Sequence, residues 1–271
     1  MPKIHLRKTH HFPKKSSPLH INGGFVSLHD LIAVVGIVFV AALVRSTFGF
    51  GDALVAMPLL LLAEFDHLAA VALLAATSLV TASVILAIDG SGREPVAPGA
   101  WILIGSALPG LGLGLWFLEV ASVSRVSSVL GGTILVVGVL GVMADPRRWP
   151  MRSWSAALFG LLAGALGGAF NVHGPPLVVF GTSREWSPRV FRSTFQVYFL
   201  AVGLPLVLVH GLSGRYSTTV VLQLVACLPV IGLASFLGGR LNQKFAVTSF
   251  RRSVYAMLIG LGIVLLWKAG G

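Results

Sequence analysis

The sequence predicts an all-α polytopic membrane protein made of two inverted repeats, each a re-entrant or broken helix pair followed by three transmembrane helices. Three observations carry this prediction. Hydrophobic residues make up 55% of the 271-residue chain and charged residues only 11%, whereas soluble domains carry about 25% charged residues. The apolar residues fall in long runs, and about 18 in a row suffice to cross a bilayer core about 30 Å thick. The runs on either side of one polar linker also follow the same order. In lipid the backbone must satisfy its own hydrogen bonds, so these runs are helices, and the 32 Gly residues suit helices that approach closely.

Taken in order, residues 1–29 form a basic tail with His5, His10, His11, His20 and His29. The irregular His spacing, with no accompanying Cys or carboxylate cluster, predicts a disordered, solvated tail rather than a metal site. The apolar stretch after it continues without a small-residue cleavage site, so no signal-peptide cleavage is expected. Apolar runs follow at 31–48, 52–63, 67–88, 99–118 and 124–143, and together they make a first membrane repeat over 30–144. The linker 145–153, with Asp145-Pro-Arg-Arg-Trp-Pro-Met-Arg152, interrupts them. Runs at 155–170, 174–182, 190–212, 217–237 and 250–267 make the second repeat, 154–271. Weak self-similarity supports the duplication: Leu54 and Val55 align with Leu177 and Val178, and Leu108-Pro109 resembles Leu228-Pro229. Six Trp residues near run ends fit an interfacial belt.

Two runs are too short to span. At 1.5 Å per residue, 52–63 gives about 18 Å and 174–182 about 14 Å. Each belongs either to one broken crossing or to a hairpin that dips into the membrane and returns. The hairpin reading puts Arg93, Arg147, Arg148, Arg152, Arg184, Arg189, Arg192, Arg240, Lys244, Arg251 and Arg252 on one side. Arg125, Arg215 and Lys268 are left on the other, beside the tail. Only that reading gives the positive-inside bias, so the linker is expected in the cytoplasm and both termini outside. The formal charge of +11 is thereby explained by topology, which argues against a nucleic-acid partner. The expected partners are the lipid bilayer and a small anionic substrate. Cys227 is the single cysteine, so there is no intrachain disulfide.

The chemistry lies at two Gly-rich breaks, Arg45-Ser-Thr-Phe-Gly-Phe-Gly-Asp52 and the stretch Gly164 to Pro176. Matching breaks in two repeats mark a transporter's central site. Half-helix N-termini there expose N–H groups and a partial positive charge, which favour an anion, and Pro175 or Pro176 suits a first helical turn. Arg45 stands beside the first break, and Asn171 and His173 add donors at the second. Plainer readings stand beside these: a structural ion pair of Arg45 with Asp52, a packing role for His173, and close helix approach at Gly49, Gly51, Gly167 and Gly168. Arg192 and Gln196, one turn apart near the start of a run, complete the candidate set, with a solvated loop-end charge as the plainer reading of Arg192.

At these breaks the chain resembles the sulfite exporter TauE/SafE family. The resemblance rests on Phe48-Gly-Phe-Gly51 followed by Met57-Pro58-Leu59-Leu60, and on Gly164 to Pro176, within a duplicated layout over about 30–268. It implies a permease of inverted repeats for sulfite, sulfonates or other small sulfur-containing or organic anions. It also implies a central site lined by Phe48, Gly49, Gly51, Asn171, His173, Gly174, Pro175 and Pro176. Asp52 departs from the family pattern, which commonly continues with Gly, and Asn171-Val-His173 replaces a more Gly-rich stretch.

The leading expectation is therefore a secondary transporter without cofactor or metal, in which His173 or Asp52 could carry a coupled proton. The alternatives are an intramembrane enzyme using His173 and Asp52 with Ser46 or Thr47 as nucleophile, and a membrane assembly factor. No nucleophile elbow, zinc signature or carboxylate pair supports the enzyme, and no large soluble loop supports the assembly factor.

Overall fold

The computed structural model describes residues 27–89, 95–143, 154–244 and 247–270. The tail up to residue 26, the whole 145–153 linker, and Arg93 lie outside the described residues. Within them the chain forms ten helices: α1 (Leu28–Phe48), α2 (Asp52–Leu62), α3 (His67–Asp89), α4 (Ala100–Val120), α5 (Val123–Met143), α6 (Ser155–Phe170), α7 (Gly174–Ser183), α8 (Pro188–Leu212), α9 (Thr218–Lys244) and α10 (Val247–Gly270). Each coincides with one apolar run to within a few residues, except that α9 continues through Gly238, Gly239 and Arg240 to Lys244. Six of them are long and apolar enough to cross a membrane: α1, α3, α4, α5, α8 and α9.

Local chemistry sets the helix ends. The Ser27 hydroxyl accepts from the Asp30 N–H at 3.1 Å, and Ser187 accepts from Val190 at 3.4 Å with Pro188 beginning α8. The Asp66 carboxylate accepts from Ala69 at 2.8 Å and caps α3. Pro58, Pro109, Pro205 and Pro229 lie inside helices, which a packed membrane bundle tolerates because neighbours re-satisfy the freed carbonyls.

α3 runs through the interior: Ala70 to Ser78 are buried without a break. The largest helix contacts are α4 with α6, α5 with α10 and α1 with α9, and α3 packs on α8 and α9. At the α4–α6 seam, a Cβ on Gly114 would lie 2.6 Å from Ala169 N, and one on Gly164 would lie 2.8 Å from Ala107 Cα. Only glycine lets these backbones come so close. Apolar side chains such as Leu108, Leu113, Val136, Leu222, Val225 and Val264 point outward, as a lipid-facing surface requires.

Trp101, Trp116, Trp154 and Trp267 are exposed near helix ends, as an interfacial belt requires. Trp186 differs. It is half-buried and meets Phe180 and Phe191 edge-on, at ring separations of 5.7 and 6.3 Å. The tight turn from α7 to α8 folds its indole inward against those rings.

Polar contacts gather helix ends on one face. Arg215, in the α8–α9 loop, pairs with Glu119 at the end of α4. Lys268, near the end of α10, donates to Leu62 O and to Glu64, both at 3.3 Å. Ser124 at the start of α5 donates to Ala269 O at 2.9 Å. Away from that face, the Ala97 N–H before α4 donates to Thr194 Oγ1, early in α8, at 2.9 Å.

Candidate functional site

The first break consists of two glycines in the left-handed region. Gly49 ends α1 at φ 87°, its N–H bonded to Arg45 O at 2.6 Å, and Gly51 at φ 103° opens α2. A side chain at either position would strain the backbone. The turn sets Asp52, the first residue of α2, against Arg45 in the last turn of α1.

Arg45 is wholly buried. Its Nη1 donates to Asp52 Oδ2 at 2.6 Å and also to Ser78 Oγ, and the Ser78 hydroxyl donates to the same carboxylate oxygen at 2.8 Å. Its Nη2 donates to Gln196 Oε1 at 3.1 Å, while Gln196 Nε2 donates to Gly49 O at 3.0 Å. The guanidinium carbon stands 3.9 Å from the Phe199 ring centroid, within cation–π range. One guanidinium thus ties α1, α2, α3 and α8 together. Arg45 and Asp52 do pair, but the pair is one edge of a larger polar cluster.

The second break lies opposite. Asn171 caps α6 at φ 59°, and its amide donates to Leu74 O at 3.0 Å, one turn before Ser78 on α3. His173 is buried. Its ring meets Tyr198 and Phe199 edge-on, both at 5.7 Å, and one side rests on Gly167, where a Cβ would clash with the ring at Cε1 and Nδ1. Pro175 and Pro176 occupy the first turn of α7. The breaks touch directly: a Cβ on Gly174 would lie 3.1 Å from Phe50 Cδ2, and Phe50 lies between Gly49 and Gly51. Phe50 also packs on Phe191 and Phe195 of α8.

Arg45, Gly49, Gly51, Asp52, Asn171, His173, Gly174, Pro175, Pro176 and Gln196 therefore gather around one buried centre. Phe48 is half-buried at the end of α1. Arg192 is half-buried rather than solvated, with its Cγ 3.8 Å from where a Cβ on Gly49 would lie. Sequence reasoning missed Ser78, Tyr198, Phe199 and Phe50. Ser78 carried a usable signal, since Thr77, Ser78 and Thr81 interrupt an apolar run. Phe199 lies seven residues after Arg192 and three after Gln196, on the same helical face.

Polar satisfaction at this centre is incomplete. Among the described residues, Arg45 Nε, His173 Nδ1 and the Tyr198 hydroxyl are buried without a hydrogen-bond partner. A buried polar atom left unpaired costs about 1–3 kcal/mol, and three around Phe199 mark a place where a polar ligand would be stabilised. The candidate nucleophiles are engaged elsewhere: Ser46 donates to Ser235 Oγ at 3.3 Å, and Thr47 to Leu43 O at 2.7 Å.

Fold and site together define a multi-pass membrane protein with a charged centre where two broken helix pairs meet. The family model described as Sulfite exporter TauE/SafE matches residues 34–265, and the chain belongs to that family. A Cupriavidus necator protein named "Probable sulfite/organosulfonate exporter TauE" is 28% identical over 166 residues, which cover 60% of this chain. The similarity spans 65% of that relative's length. No solved structure matches the chain.

Proposed function

We propose that this protein is a secondary transporter for a small anion, held between the two breaks and exposed alternately to the two sides. The wholly buried Arg45, set at the junction of four helices with its Nε unpartnered, carries this reading. Burying a guanidinium in a membrane protein is costly, and such residues serve pathways or ligands. Arg45 Nε and the Tyr198 hydroxyl are donors that an oxyanion would satisfy. The α7 N-terminus, with its two prolines, adds a dipole of the favourable sign. The family description names sulfite, the name of the Cupriavidus necator relative adds organosulfonates, and the oxygens of both match these donors.

An arrangement of two inverted repeats, 30–144 and 154–271, supports alternating access. The helix packing repeats itself: α1 lies on α9 as α6 lies on α4, and α5–α10 and α3–α8 pair with their own counterparts. α2 and α7, at about 16 and 15 Å, reach only to mid-membrane. α1 and α2 pack side by side, as a hairpin does. α5 starts on the Arg215 face and crosses, so α6 enters from the opposite face. α8 begins beside Ala97 on that opposite face, so α7 returns there. One hairpin then enters from each face, which puts the more basic loops in the cytoplasm.

Counterflow in proteoliposomes tests the function. Labelled sulfite or a sulfonate should accumulate against unlabelled substrate trapped inside, with sulfate and carboxylates weaker. Counterflow of none of these would refute it.

A further inference from the structure

We infer that one proton accompanies each monovalent anion through this protein, and that Asp52 takes it up when the anion takes Arg45. This rests on the anion-transport reading above and adds to it a second transported species and its carrier.

The argument is charge balance at a dry centre. Arg45 and Asp52 are a salt-bridged pair, with side chains 0% and 11% exposed, whose charges cancel. A carboxylate already occupies Nη1, the guanidinium nitrogen that also holds Ser78. An arriving anion competes for that cation. If it displaced Asp52 with nothing else changing, one guanidinium would face two anions, and the centre would carry a net negative charge out of water. An uncompensated charge buried in this way is strongly unfavourable. A proton on Asp52 removes the excess. Arg45 then pairs with the anion, the protonated carboxyl keeps a hydrogen bond to Ser78 Oγ with donor and acceptor exchanged, and the centre stays neutral. Release on the far side reverses both steps, so anion and proton leave together and the resting pair re-forms. Nothing is oxidised or reduced.

The groups around Asp52 make it the carrier. Arg45 faces it from α1 and Ser78 from α3, while Gln196 of α8 reaches it through Arg45. His173 of α7 feels both Asp52 and Arg45 electrostatically and keeps an unpartnered Nδ1. His173 and the Tyr198 phenol are the other titratable groups here, but the anion removes no partner from either. Asp52 alone loses its counter-ion.

The experiment uses the full chain in proteoliposomes with an internal pH dye and a potassium-clamped membrane potential. Ethanesulfonate serves as the probe because its own charge does not change with pH. The expected result is inward flux with one proton per anion, at a rate independent of the clamped potential. In Asp52→Asn, the protons moved per ethanesulfonate carried should fall at least tenfold, and the remaining flux should follow the potential. Electrogenic flux without proton movement in the unaltered protein would overturn this inference and leave the transport reading standing. Loss of the dye signal in His173→Asn, with Asp52→Asn still coupled, would overturn the assignment to Asp52. Absence of ethanesulfonate, sulfite and every other anion flux would sink the transport reading and this inference with it. Should Asp52→Asn not fold, the wild-type stoichiometry decides whether a proton moves, and Asp52→Glu should retain it.

Discussion

Arg45 concentrates most of the chemistry on one side chain, so single substitutions around it should separate its roles. Lysine keeps the charge but loses the planar fork that serves Asp52, Ser78 and Gln196 together. Arg45→Lys should raise the KM for sulfite counterflow at least tenfold while the protein still folds. Phe199 contributes its ring face. Its replacement by Leu keeps an apolar side chain there and removes about 1 kcal/mol of cation–π attraction, a factor of about five in KM. Equal KM values for Phe199→Leu and wild type would deny the contact a part in binding. Gly167 gives a steric test, because a Cβ there would occupy the space of the His173 ring. Gly167→Ala should abolish counterflow, whereas Gly132→Ala, with nothing within 4 Å of its Cβ, should leave it unchanged. The sequence showed Arg45 and Asp52 as neighbours and posed the choice between ligand and structural pair. It could not show Ser78 and Gln196 joining them, because those contacts span 33 and 151 residues.

Among the elements, the short helices and the glycine seams were legible from run length and composition alone. Breaks after Phe48 and Phe170 appear where the Gly-rich stretches put them, since glycine and Asn171 tolerate the positive φ that ends each helix. The glycines themselves did not reveal which helices they join. On α4, Gly110 and Gly114 face α6 at backbone contact, whereas Gly105 and Gly112 face open space. Gly114→Leu should push α4 from α6 and lower the melting temperature in detergent by more than 10 °C, or abolish folding. Gly112→Leu should melt within about 2 °C of the unaltered protein, and equal losses in the two variants would refute this packing assignment. The extension of α9 to Lys244 lies beyond the apolar run, because Arg240, Asn242, Gln243 and Lys244 are polar. Inside the bundle, Gly238 accommodates Ser46, because a Cβ on Gly238 would lie 2.6 Å from the Ser46 Cβ.

Across the whole molecule, the Arg215 face is tied together by contacts between distant segments. Arg215 pairs with Glu119 and contacts the His210 ring at 2.8 Å, and its neighbour Tyr216 donates to Ala72 O at 3.2 Å. Burial lowers the pKa of the Arg215 guanidinium and nearby Asp66 opposes that shift. Alternating access requires this face to open. Cross-linking a Glu119→Cys, Arg215→Cys pair with a short bis-maleimide should arrest counterflow, and the unlinked double variant should remain active. Full activity after complete cross-linking would rule out movement here. Topology is testable on a Cys227→Ser background: Arg147→Cys should react with an impermeant maleimide only from the cytoplasmic side.

The sequence by itself determined that this is a helical membrane protein, where its helices begin and, α9 apart, end to within a few residues, and that two of them are too short to span. Those features follow from local rules: run length against bilayer thickness, glycine and proline at breaks, and caps at the ends. Tertiary structure alone decided that the two breaks meet through Phe50 and Gly174, that Ser78 and Phe199 complete the Arg45 cluster, and that Trp186 turns inward. Each of these depends on which helix faces which. A membrane helix is apolar all round, so its sequence carries little record of the face it buries, and only packing against its neighbours fixes it.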